Sequence, residues 1–431
     1  MPLRSTATHL LTNRTLHRTV LDNGLTILAV ENPAADIVAA RIFIKAGGRY
    51  ELPEQAGVSH LLASVLPKGT DRLSAQAIAE QVESVGASLG ADAAADYCLL
   101  SLKSVSSDFA ELLDLAANLL RSPSFPVHEV ELEQRLTLQG LRSMQEQPFS
   151  VAHQQLRQAM YQNHPYALAS LGTEETIAAL TRDDLQRYHQ TYFRPDNIVI
   201  SIVGRVLPDQ AIALVDAMFG DWTNPSVELP LLHLSAIAPQ PQAISTVQET
   251  QQAIVMLGHL AASVQHEDYM ALKLLNTYLG NGLSSRLFVE LREKRGLAYE
   301  VSAFYPTRLA QSQFVVYMGT SPENAAIARD GLWQEVDRLT TTALEPEELQ
   351  AAKNKLLGQY ALGKQTNAQI AQIFGWYETL ELGIEFDLAF QEAIAAVTVE
   401  AAQAAAQRYF GEPYLSLVGP EMAIERLATA A

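Results

Sequence analysis

The stretch that decides the fold is Gly280–Tyr299, which reads GNGLSSRLFVELREKRGLAY. Its glycines and its Ser-Ser pair favour a turn followed by a helix N-cap. The apolar spacing predicts a helix that turns Leu287 and Leu291 inward. Gly296 ends this helix, because glycine readily adopts the left-handed conformation that follows a helix C-terminus. A strand is predicted from there to Phe304.

Two hydrogen-bond donors flank the predicted helix end, Arg295 before Gly296 and Tyr299 after it. A guanidinium and a phenol both donate well to an oxygen that gains negative charge, so the pair fits an oxyanion site. The alternative is that Arg295 complements the helix dipole and Tyr299 is an ordinary strand aromatic. On the local pattern alone, this second interpretation is favoured.

Beyond this stretch, the sequence repeats itself. Residues 178–204 read AALTRDDLQRYHQTYFRPDNIVISIVG, and residues 395–419 read AAVTVEAAQAAAQRYFGEPYLSLVG, at an offset of 217 (395 − 178 = 217). The E-x-x-G of residues 83–86 recurs at residues 293–296, at an offset of 210 (293 − 83 = 210). Because the offset changes so little, the pattern indicates two homologous halves.

We therefore predict an α+β protein with two homologous domains, residues 1–218 and 249–431. Residues 219–248 are the predicted linker, since four prolines interrupt them and no helical periodicity is present. Each half mixes hairpin strands with consecutive helices, which indicates a mostly antiparallel sheet covered by helices on one face. Joined by a semi-stiff linker, the two domains are expected to form a clam-like shell.

Composition narrows the possible functions of the 431-residue chain. Hydrophobic residues make up 48% and charged residues 18%, which is typical of a soluble globular protein. The net charge of −18 argues against nucleic-acid binding, which normally needs a basic face. Cys98 is the only cysteine, so neither an intrachain disulfide nor a thiolate metal site is available. No apolar run approaches the length of a membrane span.

The motifs resemble those of the insulinase (pitrilysin) superfamily of zinc peptidases, in its mitochondrial-processing-peptidase-like branch. Arg295 and Tyr299 match the R-x-x-x-Y segment of that family. The N-terminal half resembles the family's catalytic half, at LDNGLT (21–26), AGGRYE (46–51), Gly57–His60 and KGT (68–70). The resemblance extends over most of the chain and implies the same two-domain shell.

The zinc motif of the family is degenerate in this chain. The family's H-x-x-E-H places two histidines on one helical face, with a glutamate as the base for the bound water. Here the segment reads His60-Leu61-Leu62-Ala63-Ser64, and the family's third ligand corresponds to Gly140 (140 − 64 = 76). One imidazole cannot supply the three protein ligands of a catalytic zinc. We therefore expect this chain to bind no metal or other cofactor.

The resemblance implies a division of labour between two chains. In this branch one chain can carry the zinc motif while another carries the Arg/Tyr pair. We predict a non-catalytic subunit of a two-chain zinc metallopeptidase, with zinc in a homologous partner chain and Arg295 and Tyr299 supplied to the substrate in trans. The family also implies that the peptide adds to a sheet edge, here the strand containing Gly90, Ala91, Asp92 and Ala93.

Other interpretations remain open at this stage. The chain can instead be a catalytically inactive scaffold or peptide-binding protein, and a homodimer would carry no zinc motif in either copy. An independent hydrolase is disfavoured because no G-x-S-x-G motif or P-loop is present. We expect a cytoplasmic location. The mildly basic first 21 residues, with no acid before Asp22, leave an organellar transit peptide as the alternative.

Overall fold

The computed structural model describes residues 5–11, 14–232, 234 and 236–429. The chain divides into two compact units. Unit 1 comprises Met1–Leu141, Leu168–His233 and Ala361–Leu388, and unit 2 comprises Arg142–Ala167, Leu234–Tyr360 and Ala389–Ala431. Residues 1–4, on which part of the transit-peptide alternative rests, lie outside the described residues.

The N-terminal half of the sequence alternates hairpin strands with helices, joined in places by short 3₁₀ turns. Its strands are β1 Ser5–Leu11, β2 Arg14–Val20, β3 Thr26–Glu31, β4 Ile37–Ile44, β5 Ser88–Ala93, β6 Cys98–Val105 and β7 Ile198–Gly204. Its helices are α1 Val58–Val65, α2 Ala75–Glu83, α3 Phe109–Arg121, α4 Val127–Gln145, α5 Pro148–Tyr161, α6 Glu174–Ala179, α7 Arg182–Tyr192 and α8 Pro208–Phe219.

The C-terminal half repeats this alternation. Its strands are β8 Ala243–Val247, β9 Ala253–Ala261, β10 Glu300–Phe304, β11 Ser312–Thr320 and β12 Tyr414–Gly419. Its helices are α9 Tyr269–Gly280, α10 Ala325–Thr341, α11 Pro346–Leu362, α12 Asn367–Thr379, α13 Phe386–Ala396, α14 Val399–Tyr409 and α15 Glu421–Thr429, with a π-helix at Phe288–Lys294.

The two sheets share one topology. The sheet of unit 1 has the strand order β1-β2-β3-β7-β4-β6-β5, and that of unit 2 has the order β10-β11-β9-β12-β8. Most neighbours are antiparallel, whereas β3 is parallel to β7 and β8 is parallel to β12. From the β5 and β10 edges inward, both sheets therefore show the same five-strand order with a parallel pair at the same place. This confirms the predicted α+β fold with two homologous halves.

Local features of the repeat also recur in the structure. Thr181 and Thr398 are the N-caps of α7 and α14, and each side chain accepts a hydrogen bond from the backbone N–H three residues later. Gly86 and Gly296 both take left-handed conformations, with φ of 64° and 63°. The duplicated sequence therefore specifies the same caps and the same chain reversal in both halves.

One face of the unit 1 sheet packs against α1, α3 and α8. The core between them is apolar and closed to solvent, with Leu61, Phe109 and Leu113 buried among side chains of β3, β4, β6 and β7. The sequence predicts this layer of helices on one face of a mostly antiparallel sheet.

A helix from the C-terminal half of the sequence covers the other face of this sheet. Helix α12 lies on β4 and β7, and a Cβ atom at Gly375 would come within 2.4 Å of the Phe43 ring. Asn367 at the start of the helix donates to the carbonyl of Ile37 at 2.8 Å, and Glu378 near its end pairs with Arg18 at 2.6 Å. The central strands of unit 1 are consequently buried on both faces.

In unit 2, a helix from the N-terminal half of the sequence likewise covers the sheet. Helix α5 packs on β9 and β12, where Met160 meets Gly258 so closely that a Cβ atom there would be 2.7 Å from the Met160 sulfur. Ser416 donates to the carbonyl of Ala152 at 2.8 Å and accepts from Gln155 at 2.7 Å. Units 1 and 2 thus each contain a helix that the sequence order assigns to the other half.

The structure also refines two predicted connections. The end of the proposed linker at residues 219–248 forms β8, whose partly buried Ile244 and Thr246 alternate with exposed residues. Within the first 21 residues, β1 and β2 pair as antiparallel strands. Within the described residues, no helix has the length and apolar character needed to cross a membrane.

Replacing Gly375 with alanine should destabilise unit 1. The new methyl group would collide with the buried Phe43 ring, and overpacking of this kind costs about 1–3 kcal/mol. The matched control is Gly358→Ala in the exposed part of α11, where a Cβ atom meets nothing within 4 Å and a gain of about 0.5–1 kcal/mol is expected. Urea denaturation measures both, and equal effects of the two substitutions would contradict this packing argument.

Acid should destabilise the protein between about pH 6.5 and pH 4. Burial lowers the pKa of His189 and of His259 to about 4, whereas an unfolded histidine titrates near 6.5. The unfolded chain therefore binds more protons in this window, so stability falls as the pH falls. We expect His259→Phe to flatten the dependence of the urea midpoint on pH, and the exposed control His128→Phe to leave it unchanged. Parallel curves for the wild type and His259→Phe would contradict the assignment.

Candidate functional site

A buried carboxylate fixes the start of the helix that carries the degenerate zinc motif. Glu51 accepts hydrogen bonds from the backbone N–H groups of Gly57 at 2.7 Å and Ser59 at 2.9 Å, and also from the Ser59 hydroxyl. Burial raises the pKa of Glu51, and these hydrogen bonds partly offset that rise. Since Gly57 has no side chain to cap α1, Glu51 supplies the missing N-terminal acceptor.

His60 lies half-buried on α1, which packs beside the edge strand β5. Burial lowers its pKa, while the charges of Asp92 on β5 and Glu133 on α4 act in the opposite direction. The imidazole is therefore mostly neutral near pH 7. The structure brings together three of the predicted features: the remaining motif histidine, the small-residue edge strand and the helix that holds Gly140.

The residues at the other three motif positions do not fit a zinc ion. Ala63 is buried, with 3% of its surface exposed, and Ser64 is half-buried one turn beyond His60. Gly140 lies inside α4, and a Cβ atom there would meet nothing within 4 Å. Across the described part of the chain, no three His, Cys, Asp or Glu side chains come together as a metal site. A single imidazole is therefore the only donor that these positions retain.

Sequence reasoning missed an ion pair on the face of α4 that carries Gly140. Glu133 lies two turns before Gly140 on α4, and its carboxylate pairs with Lys68 at 2.9 Å. The seven-residue spacing between Glu133 and Gly140 places both on one face of the helix, and this was the available signal. Glu51 was missed in the same way, although it belongs to the AGGRYE segment that carries the resemblance.

The predicted substrate strand forms a free edge of the sheet in unit 1. β5 pairs with β6 on one side and ends the strand order on the other. Gly90, Ala91 and Ala93 are half-buried, Asp92 is exposed, and the space around Gly90 is open to 4 Å. An incoming strand could therefore approach this backbone closely.

In unit 2 the predicted helix of the deciding stretch forms as a π-helix, Phe288–Lys294. π-helical turns are rare and occur frequently at functional sites. Gly296 then reverses the chain, and its N–H donates to the carbonyl of Arg292 at 3.1 Å. Arg295 precedes this reversal and Tyr299 follows it, as the sequence predicts.

Both side chains of the pair are exposed and available. Tyr299 has 58% of its surface exposed. Its backbone N–H donates to the carbonyl of Gly319 at 2.9 Å, whereas its phenol takes no part in this backbone pairing. The Arg295 guanidinium lies against Gly331 on α10, where a Cβ atom would be 3.2 Å from its Nη1. Neither side chain has a hydrogen-bond or ion-pair partner among the described residues.

Tight contacts before the π-helix hold this segment in place. A Cβ atom at Gly280 would come within 2.0 Å of the Ala303 backbone nitrogen, so only glycine lets α9 end against β10. Ser302 donates to the carbonyl of Gly280 at 2.7 Å, and Lys355 donates to the carbonyl of Asn281. Arg295 and Tyr299 are thus presented by a well-anchored scaffold.

Comparison with protein families assigns both halves of the chain. Residues 26–174 match the family described as insulinase (peptidase family M16), and residues 179–356 match the peptidase M16 inactive domain. Similar proteins include one named "uncharacterized zinc protease YmxG" from Bacillus subtilis, which is 28% identical over 94% of this chain and 98% of that protein. A Streptomyces coelicolor protein named "uncharacterized zinc protease SCO5738" is 28% identical over 94% of this chain and 90% of its own length.

Solved structures show the same fold. A peptidase M16 inactive domain from Pseudomonas fluorescens aligns with a TM-score of 0.87 and 25% identity, over 94% of this chain and 98% of that one. A protease from Helicobacter pylori aligns with a TM-score of 0.88 and 21% identity, over 97% of this chain and all of that one. At 21% identity, the second match shows the fold alone.

The open space at Gly140 makes the absence of a metal site testable. We expect the purified wild-type chain to hold no equimolar zinc after dialysis. Combining Ser64→His with Gly140→Glu should complete a three-ligand set with His60 and bring zinc to about one ion per chain, measured by plasma mass spectrometry. The matched control is Ser64→His with Gly140→Gln, which should stay low. Equimolar zinc in the wild type, or none in the Ser64→His/Gly140→Glu variant, would contradict this assignment.

Proposed function

Because this chain belongs to the insulinase family of peptidases, family M16, we propose that it is the non-catalytic subunit of a two-chain zinc metallopeptidase. Its partner is a homologous chain that carries an intact zinc motif. In this proposal the partner supplies the metal and the base, and our chain supplies Arg295 and Tyr299 to the carbonyl of the peptide bond being cleaved.

One observation carries the proposal: of the zinc and base positions only His60 is retained, while Arg295 and Tyr299 are exposed and have no side-chain partners among the described residues. Both side chains lie at the surface of unit 2, where a ligand can reach them. Here both donors are left available to a ligand.

The chemistry available to the pair is electrostatic. A guanidinium donates through several N–H groups and stays charged, while a phenol donates a single O–H. Directed at the oxygen of a scissile carbonyl, such donors stabilise the negative charge that develops in the transition state. Losing one preorganised donor typically costs about 2.7–4 kcal/mol in the barrier. A subunit without a metal can thus contribute strongly to rate.

The free edge of β5 supports a role in holding the peptide. An extended peptide that adds to this edge gains backbone hydrogen bonds without needing a particular side-chain sequence. Half-buried Gly90 and Ala91 leave room for its backbone. The same edge also suits the second candidate function, an inactive scaffold or peptide-binding protein that associates with itself, because peptide binding of this kind requires no metal.

The test is co-expression with a homologue that has an intact zinc motif, followed by peptide cleavage. Arg295→Ala should lower kcat/KM of the pair by roughly 10²–10³-fold, and Tyr299→Phe should also lower it. Arg292→Ala is the matched control, since this exposed arginine lies one turn earlier and packs on the Phe288 ring.

Size-exclusion chromatography must show that each variant still forms the pair. If the pair is active and Arg295→Ala leaves its rate unchanged, the in-trans role is wrong. Stable self-association of this chain, with peptide binding and no active pair, would instead support the scaffold function.

A further inference from the structure

A set of basic side chains gathers in unit 2, at positions distant in the sequence from Arg295 and Tyr299. His153 and Arg157 lie one turn apart on α5 and therefore share a face. Arg308 comes from the loop between β10 and β11, and Lys273 comes from α9. We call His153, Arg157, Lys273 and Arg308 the basic cluster.

Aromatic rings connect the members of the cluster. The Arg308 guanidinium lies over the Tyr166 ring at 5.3 Å, and that ring packs edge-on against Tyr161 at 5.6 Å, one turn after Arg157 on α5. Lys273 lies 5.4 Å from the ring centre of Tyr269.

The same lysine is tied to the loop that carries Arg308. Lys273 donates to the carbonyl of Tyr305 at 2.8 Å, and the hydroxyl groups of Tyr269 and Thr307 are 2.6 Å apart. Lys273 of α9 is therefore fixed against residues 305–308, the loop segment that carries Arg308. At the other end of the cluster, the His153 ring is 3.0 Å from the Gln313 amide.

Within the part of the chain that the structure describes, no acidic side chain forms an ion pair with Arg157, Lys273 or Arg308. Among the described residues, neither Arg157 nor Arg308 donates a side-chain hydrogen bond or forms an ion pair, and the Nε of Arg157 is buried without a partner. Burial and the charge of Arg308 lower the pKa of Arg157 to about 10 and that of Lys273 to about 8. The chain has a net charge of −18, so cations that lack an acidic partner call for a functional explanation.

We propose that Arg157, Arg308 and Lys273 form an anion subsite that receives a carboxylate of a bound peptide. A carboxylate offers the acceptors that the Arg157 guanidinium lacks, and its charge offsets the repulsion within the basic cluster. Arg157 and Arg308 are both half-buried, so part of each residue is exposed to solvent. The inference rests on the proposed function in one respect, namely that the ligand of this chain is a peptide.

A purely structural role of the basic cluster would not explain why the Arg157 Nε is buried without an acceptor. Stacking on aromatic rings stabilises the charges of Arg308 and Lys273, yet it provides no acceptor for the buried Nε of Arg157. The carboxylate can come from an acidic side chain or from the peptide C-terminus, and the two sources predict different ligand preferences.

The test uses the isolated full-length chain and three pentapeptides that carry an uncharged coumarin label at the N-terminus. They are penta-alanine with a free C-terminus, its C-terminal amide, and Ala-Ala-Glu-Ala-Ala amide. Fluorescence anisotropy at constant ionic strength measures their binding. We expect at least one of the two carboxylate-bearing peptides to bind at least tenfold more tightly than the neutral amide, and which one binds identifies the source of the carboxylate.

Arg157→Gln and Arg308→Gln should each abolish this preference, whereas Arg426→Gln on the exposed face of α15 should retain it. Equal binding of the three peptides by the wild type, or no binding, overturns the subsite, as does a preference that survives in both cluster variants. Arg295→Ala should keep the preference, and the assay needs no partner chain. Failure of the subsite is therefore distinguishable from failure of the two-chain function.

Discussion

The central strands of each sheet carry apolar side chains on both faces, and the rest of the structure depends on burying the second face. β7 is buried along its whole length, and so is almost all of β9. Exposing such a face to water would be costly, because each large apolar side chain contributes about 1.5–3 kcal/mol on burial. Helix α12 covers this face in unit 1 and α5 covers it in unit 2. Neither half of the sequence can therefore complete its own unit.

This constraint explains why the fold persists although the metal positions are lost. His60, Ala63 and Ser64 lie on α1, whose start is held by Glu51 and whose apolar face belongs to the core. Alanine at the position of the base, or serine or glycine at the position of a ligand, removes chemistry and leaves the helix and its packing intact. The fold and a metal site thus depend on different side chains of the same elements. A family member can consequently lose one function and keep a surface that serves another.

Much of the fold could be predicted from the sequence because its signals are local or repeated. Gly296 ends a helix wherever that helix packs, and Thr181 and Thr398 cap helices through their own side chains. The exchange of α5 and α12 could not be predicted, since periodicity shows that a helix has an apolar face and not which sheet it covers. The π-helix likewise has no local signature that distinguishes it from an α-helix.

The candidate site likewise has parts that could be predicted from the sequence and parts that could not. Arg295, Tyr299 and the degenerate zinc motif were identified because short segments of the sequence resemble motifs of the family. By contrast, the contact between Lys68 and Glu133 joins residues 65 positions apart (133 − 68 = 65), and the basic cluster joins Arg157 with Arg308 across 151 positions (308 − 157 = 151). Only tertiary structure brings such residues together.

The open edge of β5 also bears on how the protein behaves at high concentration. An unpaired strand with small side chains can accept another copy of itself, which is the first step towards ordered aggregation. Asp92 is the single charged residue in this strand, and its carboxylate is exposed. If two copies met edge to edge with these carboxylates close together, their like charges would repel each other. One acidic side chain thus disfavours edge-to-edge stacking between molecules.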